Sequence, residues 1–270
     1  MNLRSDPDDL RVVAGLRPGT SVEFFGLPGS GKTTIAREVH AILSRRNPEL
    51  IFAPQLLRDE AGAAVRAAAK LRLIVAEVVR NGGWTDAVSR AIAIRQPHFR
   101  DSLRAVFSVA TVSSLHANLQ RRTASAVLDQ GVLQALWSVQ LKADNGQDCS
   151  ALVAAILTEA ASSARIHVSV ETPQEVCVTR LGSRVSKHSR MQSAGASGDR
   201  ALWETAELLR RAILADLGAA YRRLGVPDPT IAVDGTANPV VAARQIADAL
   251  LASGPAPGLP RAKPVHGVAL

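Results

Sequence analysis

The residues Gly26-Leu27-Pro28-Gly29-Ser30-Gly31-Lys32-Thr33 constrain this chain more than any other feature. They satisfy G-x-x-x-x-G-K-[ST] at every fixed position. The run Ser21–Phe25 before them reads as a strand that stops at a glycine. After them, Ile35, Val39, Ile42 and Leu43 recur at helical spacing, so a helix is expected from Thr33 to about Arg46, closed by Asn47-Pro48. Glycines let the backbone curl until successive N–H groups point inward, and the helix start adds the positive end of its dipole to the same point. Such a loop cradles the phosphates of a nucleoside triphosphate. Gly26, Pro28, Gly29, Ser30 and Gly31 would form the cradle, Lys32 would reach the β- and γ-phosphates, and the Thr33 hydroxyl would ligate Mg²⁺. Thr34 would add a contact to the α-phosphate. An incidental glycine-rich turn is the competing reading, and the flanking strand and helix weigh against it.

A phosphate loop that holds a metal needs a partner carboxylate. Thr123–Leu128 is an apolar run expected to be a central strand, and Asp129 ends it. That position suits a carboxylate that holds Mg²⁺ next to Thr33. An Asp capping the helix that follows, expected over Val132 to Leu141, is the alternative. Further strands are expected at Leu50–Ala53, Arg165–Val170 and Thr230–Val233, and the alternation with helices implies a parallel sheet covered on both faces. Residues 59–122 read as almost wholly helical, with a break at Asn81-Gly82-Gly83. A helix from Arg200 carries Ala206, Leu209, Ile213, Leu217 and Tyr221 on one face, and Asn238-Pro239 opens a last helix to about Ala252. One domain over residues 1–252 with a disordered Pro- and Gly-rich tail at 253–270 is the expected organisation.

No run of eighteen apolar residues and no apolar leader core is visible, so a cytoplasmic protein without a membrane span is expected. Cys149 and Cys177 lack metal-ligand spacing and read as plain thiols. The net charge of +8 raises the question of nucleic acid. Aromatics are only 3% of the chain and the basic residues alternate with acids, so stacking platforms and basic stripes are missing and the charge is read as serving small anions. His98, His116 and His167 read as isolated structural residues. The sequence leaves the oligomeric state open, a homodimer included.

Four segments together resemble the P-loop kinases of nucleosides, nucleotides and other small molecules, the thymidylate-kinase-like and adenylate-kinase-like group. They are the loop at Gly26–Thr34, the strand end Val127–Gly131, the run Val168–Val176 followed by Arg180 and Arg184, and Val233-Asp234-Gly235-Thr236. The resemblance implies a P-loop NTPase α/β fold whose five parallel strands lie in the order 2-3-1-4-5. It also implies ATP and Mg²⁺, a lid near residues 180–200, and an adenine-side loop at Asp234 and Gly235. Arg180 and Arg184, spaced for one helix face, would then close over the transferring phosphoryl group, whose charge lies on its equatorial oxygens. A solvated basic loop is the plainer reading of that stretch, which also holds Lys187, His188 and Arg190. Asp59 and Glu60 lie where nucleoside kinases often place a carboxylate, though acids at a helix start are common.

One departure from that family bears on the acceptor. Thymidylate-kinase-like enzymes follow the strand-end Asp with an arginine that grips the acceptor's monophosphate, whereas Gln130 follows it here. A neutral amide suits a hydroxylated, uncharged acceptor such as a nucleoside or sugar. Arg58, Arg66, Arg100 or Arg104 could supply the charge from another direction. A regulatory ATPase without a small acceptor and a polynucleotide kinase are the alternative functions.

Overall fold

The computed structural model describes residues 16, 18–53, 63–81, 85–143, 147–161, 163–183 and 200–252. Five strands form one parallel sheet: β1 (Ser21–Phe25), β2 (Ile51–Phe52), β3 (Ala126–Leu128), β4 (Arg165–Glu171) and β5 (Ile231–Asp234). Their order is β2-β3-β1-β4-β5, the order expected. In register, Glu23 of β1 stands between Leu128 of β3 and His167 of β4.

Each strand sends alternate side chains to opposite faces. One face is closed by α1 (Lys32–Leu43) and α9 (Pro239–Ala252). There Val22, Phe24, Val127, Val168, Val170 and Val233 pack against Ile35, Val39, Ala243 and Ile246 in an apolar cluster. The loop after β1 must turn directly into α1 because that helix covers the strand it leaves. Asn238 caps α9 by accepting the Val240 N–H through its side chain, as the sequence suggests.

The opposite face carries more helices. These are α4 (Phe99–Arg121), α5 (Val132–Gln140), α6 (Ser150–Ala161) and α8 (Arg200–Leu224), with α2 (Ala63–Asn81) and α3 (Asp86–Ala93) packed outside α4. Leu133, Leu136, Leu152, Ile156, Ile213 and Leu217 fill the larger core between them. Arg121 of α4 grips Glu77 of α2 with a two-pronged hydrogen bond, its shorter arm at 2.5 Å.

Several expectations shift in detail. β3 is three residues long rather than six, because Thr123 takes φ +51° in the turn that ends α4. Helix α6 has no counterpart in the sequence reading. Its segment Ser-Ala-Leu-Val-Ala-Ala-Ile-Leu-Thr-Glu-Ala-Ala packs Leu152, Ile156 and Leu157 against α3, α5 and α8, but carries alanines such as Ala151 and Ala154 on its exposed side too, so it shows little amphipathic period. Helix α7 (Gln174–Gly182) carries Arg180 in its last turn and has Ser183 as its C-cap. Arg184, Lys187, His188, Arg190, Arg58, Asp59, Glu60 and the tail at 253–270 lie outside the described residues, as does the side chain of Arg66. Among the described residues no helix is long and apolar enough to cross a membrane.

Candidate active site

The loop between β1 and α1 has the geometry its glycines permit. Gly29 and Gly31 take φ +85° and +97°, a left-handed conformation costly for any residue with a Cβ. Gly31 is the N-cap of α1 and offers no side chain, so no side-chain cap occupies the first amides of the helix. Lys32 folds back, and its Nζ donates to the carbonyls of Gly26 at 2.7 Å and Leu27 at 2.8 Å. Its ammonium therefore sits inside the loop. Ser30 is buried and Thr34 is exposed at the helix start.

The structure brings the two expected metal residues together. Thr33 Oγ1 donates to Asp129 Oδ2 at 2.9 Å across 96 residues of sequence. Parallel pairing of β1 with β3 causes this, since it places the carboxyl end of β3 alongside the loop that leaves β1. Asp129 is 7% exposed. The helix cap that follows is Gly131, two residues on, and Gln130 between them is exposed.

On the other flank, Arg180 of α7 donates from Nη1 to Gly235 O at 2.8 Å and, more weakly, to Ser30 O at 3.4 Å. Thr172 Oγ1 adds a 3.0 Å bond to the same Ser30 carbonyl. The phosphate-type loop, the segment from Thr172 to the last turn of α7, and the turn after β5 are thus tied together. The Asp234 carboxylate is occupied locally, accepting from the Thr236 amide and hydroxyl, and these bonds hold its pKa below the ordinary value. Gly235 N–H donates to Glu171 O. Beside this junction opens a cleft of about 570 Å³ whose walls include Leu27, Thr172, Glu207, Arg210, Arg211 and Asp234. It lies on the β4–β5 side, away from Asp129. Burial pushes the Cys177 thiol, on the inner side of α7, up to about 11, so it is an inert thiol.

Two of the three histidines do not stand alone. Beneath the loop, on the face of α4 to α8, Glu23 is buried and its Oε2 accepts the Val132 N–H at 2.8 Å. His116 Nε2 lies 2.6 Å from Oε1, a close contact that is off the direction of a good hydrogen bond, and Arg165 Nε lies 3.7 Å away. Burial alone would raise the carboxyl pKa. The charge of His116 beside it, with Arg165 and His167 beyond, outweighs this and holds Glu23 well below the usual carboxylate range. His167 is buried beside this group, and desolvation lowers its pKa to about 4, so it is neutral. Among the described residues neither of its ring nitrogens meets a hydrogen-bond partner. The signal missed in the sequence is the polar period of two, Ser21 and Glu23 in one strand and Arg165, His167 and Ser169 in another. Parallel strands buried on both faces are normally apolar throughout. His98 sits exposed at the start of α4 and joins nothing catalytic, while Arg100 and Arg104 are exposed on α4.

Sheet order and the glycine-rich loop closing β1 onto α1 make this an α/β protein with a five-stranded parallel sheet and a P-loop. No protein-family model matches the chain, and no curated protein matches it. Among solved structures it is similar to a deoxyadenosine kinase from M. mycoides with bound dCTP, at 12% identity and a TM-score of 0.47, over 86% of this chain and 100% of that one. Sheet order and loop define the fold class without that likeness.

Proposed function

We propose that the chain is an ATP- and Mg²⁺-dependent phosphotransferase that moves the γ-phosphoryl group to a hydroxyl of a small polar molecule such as a nucleoside or sugar. The observation that carries the reading is the Thr33–Asp129 contact beside Lys32. A loop with inward amides binds phosphate, but a hydroxyl and a carboxylate held 2.9 Å apart at its rim make an oxygen donor pair suited to Mg²⁺, which takes few protein ligands and fills its shell with phosphates and water. Thr33 and Asp129 would hold the ion, whose charge would offset that of the phosphates in the loop.

The chain's own groups then have separate tasks. The amides of Gly29, Gly31, Lys32 and Thr33 hold the phosphates, that of Ser30 being bonded to Leu27 O, and Lys32 exchanges the Gly26 and Leu27 carbonyls for γ-phosphate oxygens. Arg180, beside Gly31, supplies a second cation on the lid side, joined by Arg184 when the lid closes. Asp234 and Gly235 shape the base side through the turn that Arg180 anchors. Gln130, exposed next to Asp129, offers its amide to the acceptor's polar groups. The acceptor oxygen bonds to the γ-phosphorus, the bond to the β,γ-bridging oxygen breaks, and ADP leaves as the hydroxyl proton is released.

The test is label transfer from γ-labelled ATP over a panel of nucleosides, sugars and other hydroxylated metabolites set against nucleoside monophosphates. Label on an uncharged hydroxylated compound is the expected result. Robust phosphorylation of a monophosphate with that panel inert would overturn the acceptor reading, and ATP turnover indifferent to every acceptor would turn the chain into an ATPase.

A further inference from the structure

We propose that Glu23 is a positioning residue for the strand-end carboxylate, capping the start of α5 from across the sheet and so fixing where Asp129 stands beside Thr33. The inference rests on the reading of Asp129 as a Mg²⁺ residue. Its structural part is independent of that reading. The cap residue of α5 is Gly131, which has no side chain to accept the first helical amide. Glu23, 109 residues earlier, supplies the acceptor at 2.8 Å from Val132 N. A Cβ on Gly131 would overlap the Glu23 carboxylate, so the two residues fit only as a pair. A negative charge there also complements the helix dipole.

Geometry makes this cap matter to the site. The turn from β3 to α5 is residues 129–131, with one end fixed by the pairing of Leu128 with Glu23's own backbone position and the other by Glu23's side chain. Asp129 stands between those two anchors. Glu23 is in turn held by His116 of α4 at 2.6 Å and Arg165 of β4 at 3.7 Å, and Arg165 by Glu159 of α6 at 2.7 Å. Stability alone is a poor reason for such a cluster, because well-packed apolar side chains often replace a buried ion group without loss. A fixed direction for one carboxylate is something apolar packing does not provide.

The experiment compares Glu23→Leu, which removes the acceptor at similar volume, Gly131→Ala, which displaces the carboxylate while leaving its partners intact, and Glu23→Gln, which keeps an oxygen for the amide. Calorimetry on the full-length folded proteins gives ATP affinity with and without Mg²⁺, and NMR gives the exchange rate of the Val132 amide. Glu23→Leu and Gly131→Ala should raise the Mg²⁺ needed for half-maximal binding roughly tenfold, in the range typical of groups that orient metal ligands, with Mg²⁺-free affinity unchanged. The Val132 amide should exchange faster in both, and Glu23→Gln should stay close to wild type on both readouts. If Glu23→Leu does not fold, Gly131→Ala carries the comparison. A folded Gly131→Ala protein with wild-type Mg²⁺ dependence, or equal losses with and without Mg²⁺, would overturn the proposal. A wild-type protein whose nucleotide binding ignores Mg²⁺ would instead overturn the function reading.

Discussion

The two faces of the sheet are built on different principles. Toward α1 and α9 the strands present only apolar side chains, Val22, Phe24, Val168 and Val170 among them. Toward α4, α5, α6 and α8 the same strands present Ser21, Glu23, Arg165, His167 and Ser169, all buried. The first face gains its stability from area and packing, which require no fixed direction at any one atom. The second trades some of that gain for directed bonds that run from three helices to the turn bearing Asp129. Stability and placement of the site are thus divided between the faces.

Substitutions and pH can break or sharpen that division. Phe24→Ala, on the apolar face, should cost roughly 3–5 kcal/mol in denaturant unfolding while the folded fraction keeps a wild-type Mg²⁺ requirement. An altered Mg²⁺ requirement would mean that this face also sets the site. Acid should strike the other face. His167 is kept neutral in the fold, so between its ordinary value of 6.5 and about 4 the unfolded chain takes up a proton that the folded chain refuses. Stability is whole above pH 6.5 and falls by about 1.4 kcal/mol per pH unit as pH drops through that window. Glu23, whose folded pKa is depressed, adds a loss of the same sign below its ordinary value of 4.5. Thermal melts of His167→Gln should show a flatter curve between pH 6.5 and 5; an unchanged slope would remove His167 from the account.

Smaller effects are expected at the edge where both faces end. Asp129→Asn should raise the Mg²⁺ requirement about tenfold and lower kcat, by loss of one charge facing the metal. An unchanged Mg²⁺ titration would take Asp129 out of metal binding. Arg180→Ala removes the bonds to Ser30 O and Gly235 O and should lower kcat about fivefold, the worth of roughly 1 kcal/mol, with less effect on ATP affinity. A loss confined to affinity would place Arg180 in nucleotide binding alone.

Legibility in the sequence followed the same division. The phosphate-type loop could be read because its chemistry is carried by eight consecutive residues, and Asp129 because a strand end next to a P-loop is a recurring position. Strand order followed from resemblance, and four of the five strands fall where alternation or apolar runs put them, β3 being cut short at Ala126. The Glu23 group could not be assembled this way, since its members come from positions 23, 116, 132 and 165 and meet only when the parallel register is set. His116 read alone looks like a satisfied core residue. Helix α6 escaped for the opposite reason, its apolar surface being too complete to show a period.

In phosphoryl transfer Lys32 leaves the Gly26 and Leu27 carbonyls to carry charge to the γ-phosphate, and kcat in Lys32→Ala reads that role. In a protein that melts like wild type, kcat for ATP-dependent transfer should fall by roughly 10²–10³-fold, as for loss of a preorganised charge at the reacting group. An undiminished kcat in that folded protein would contradict the account.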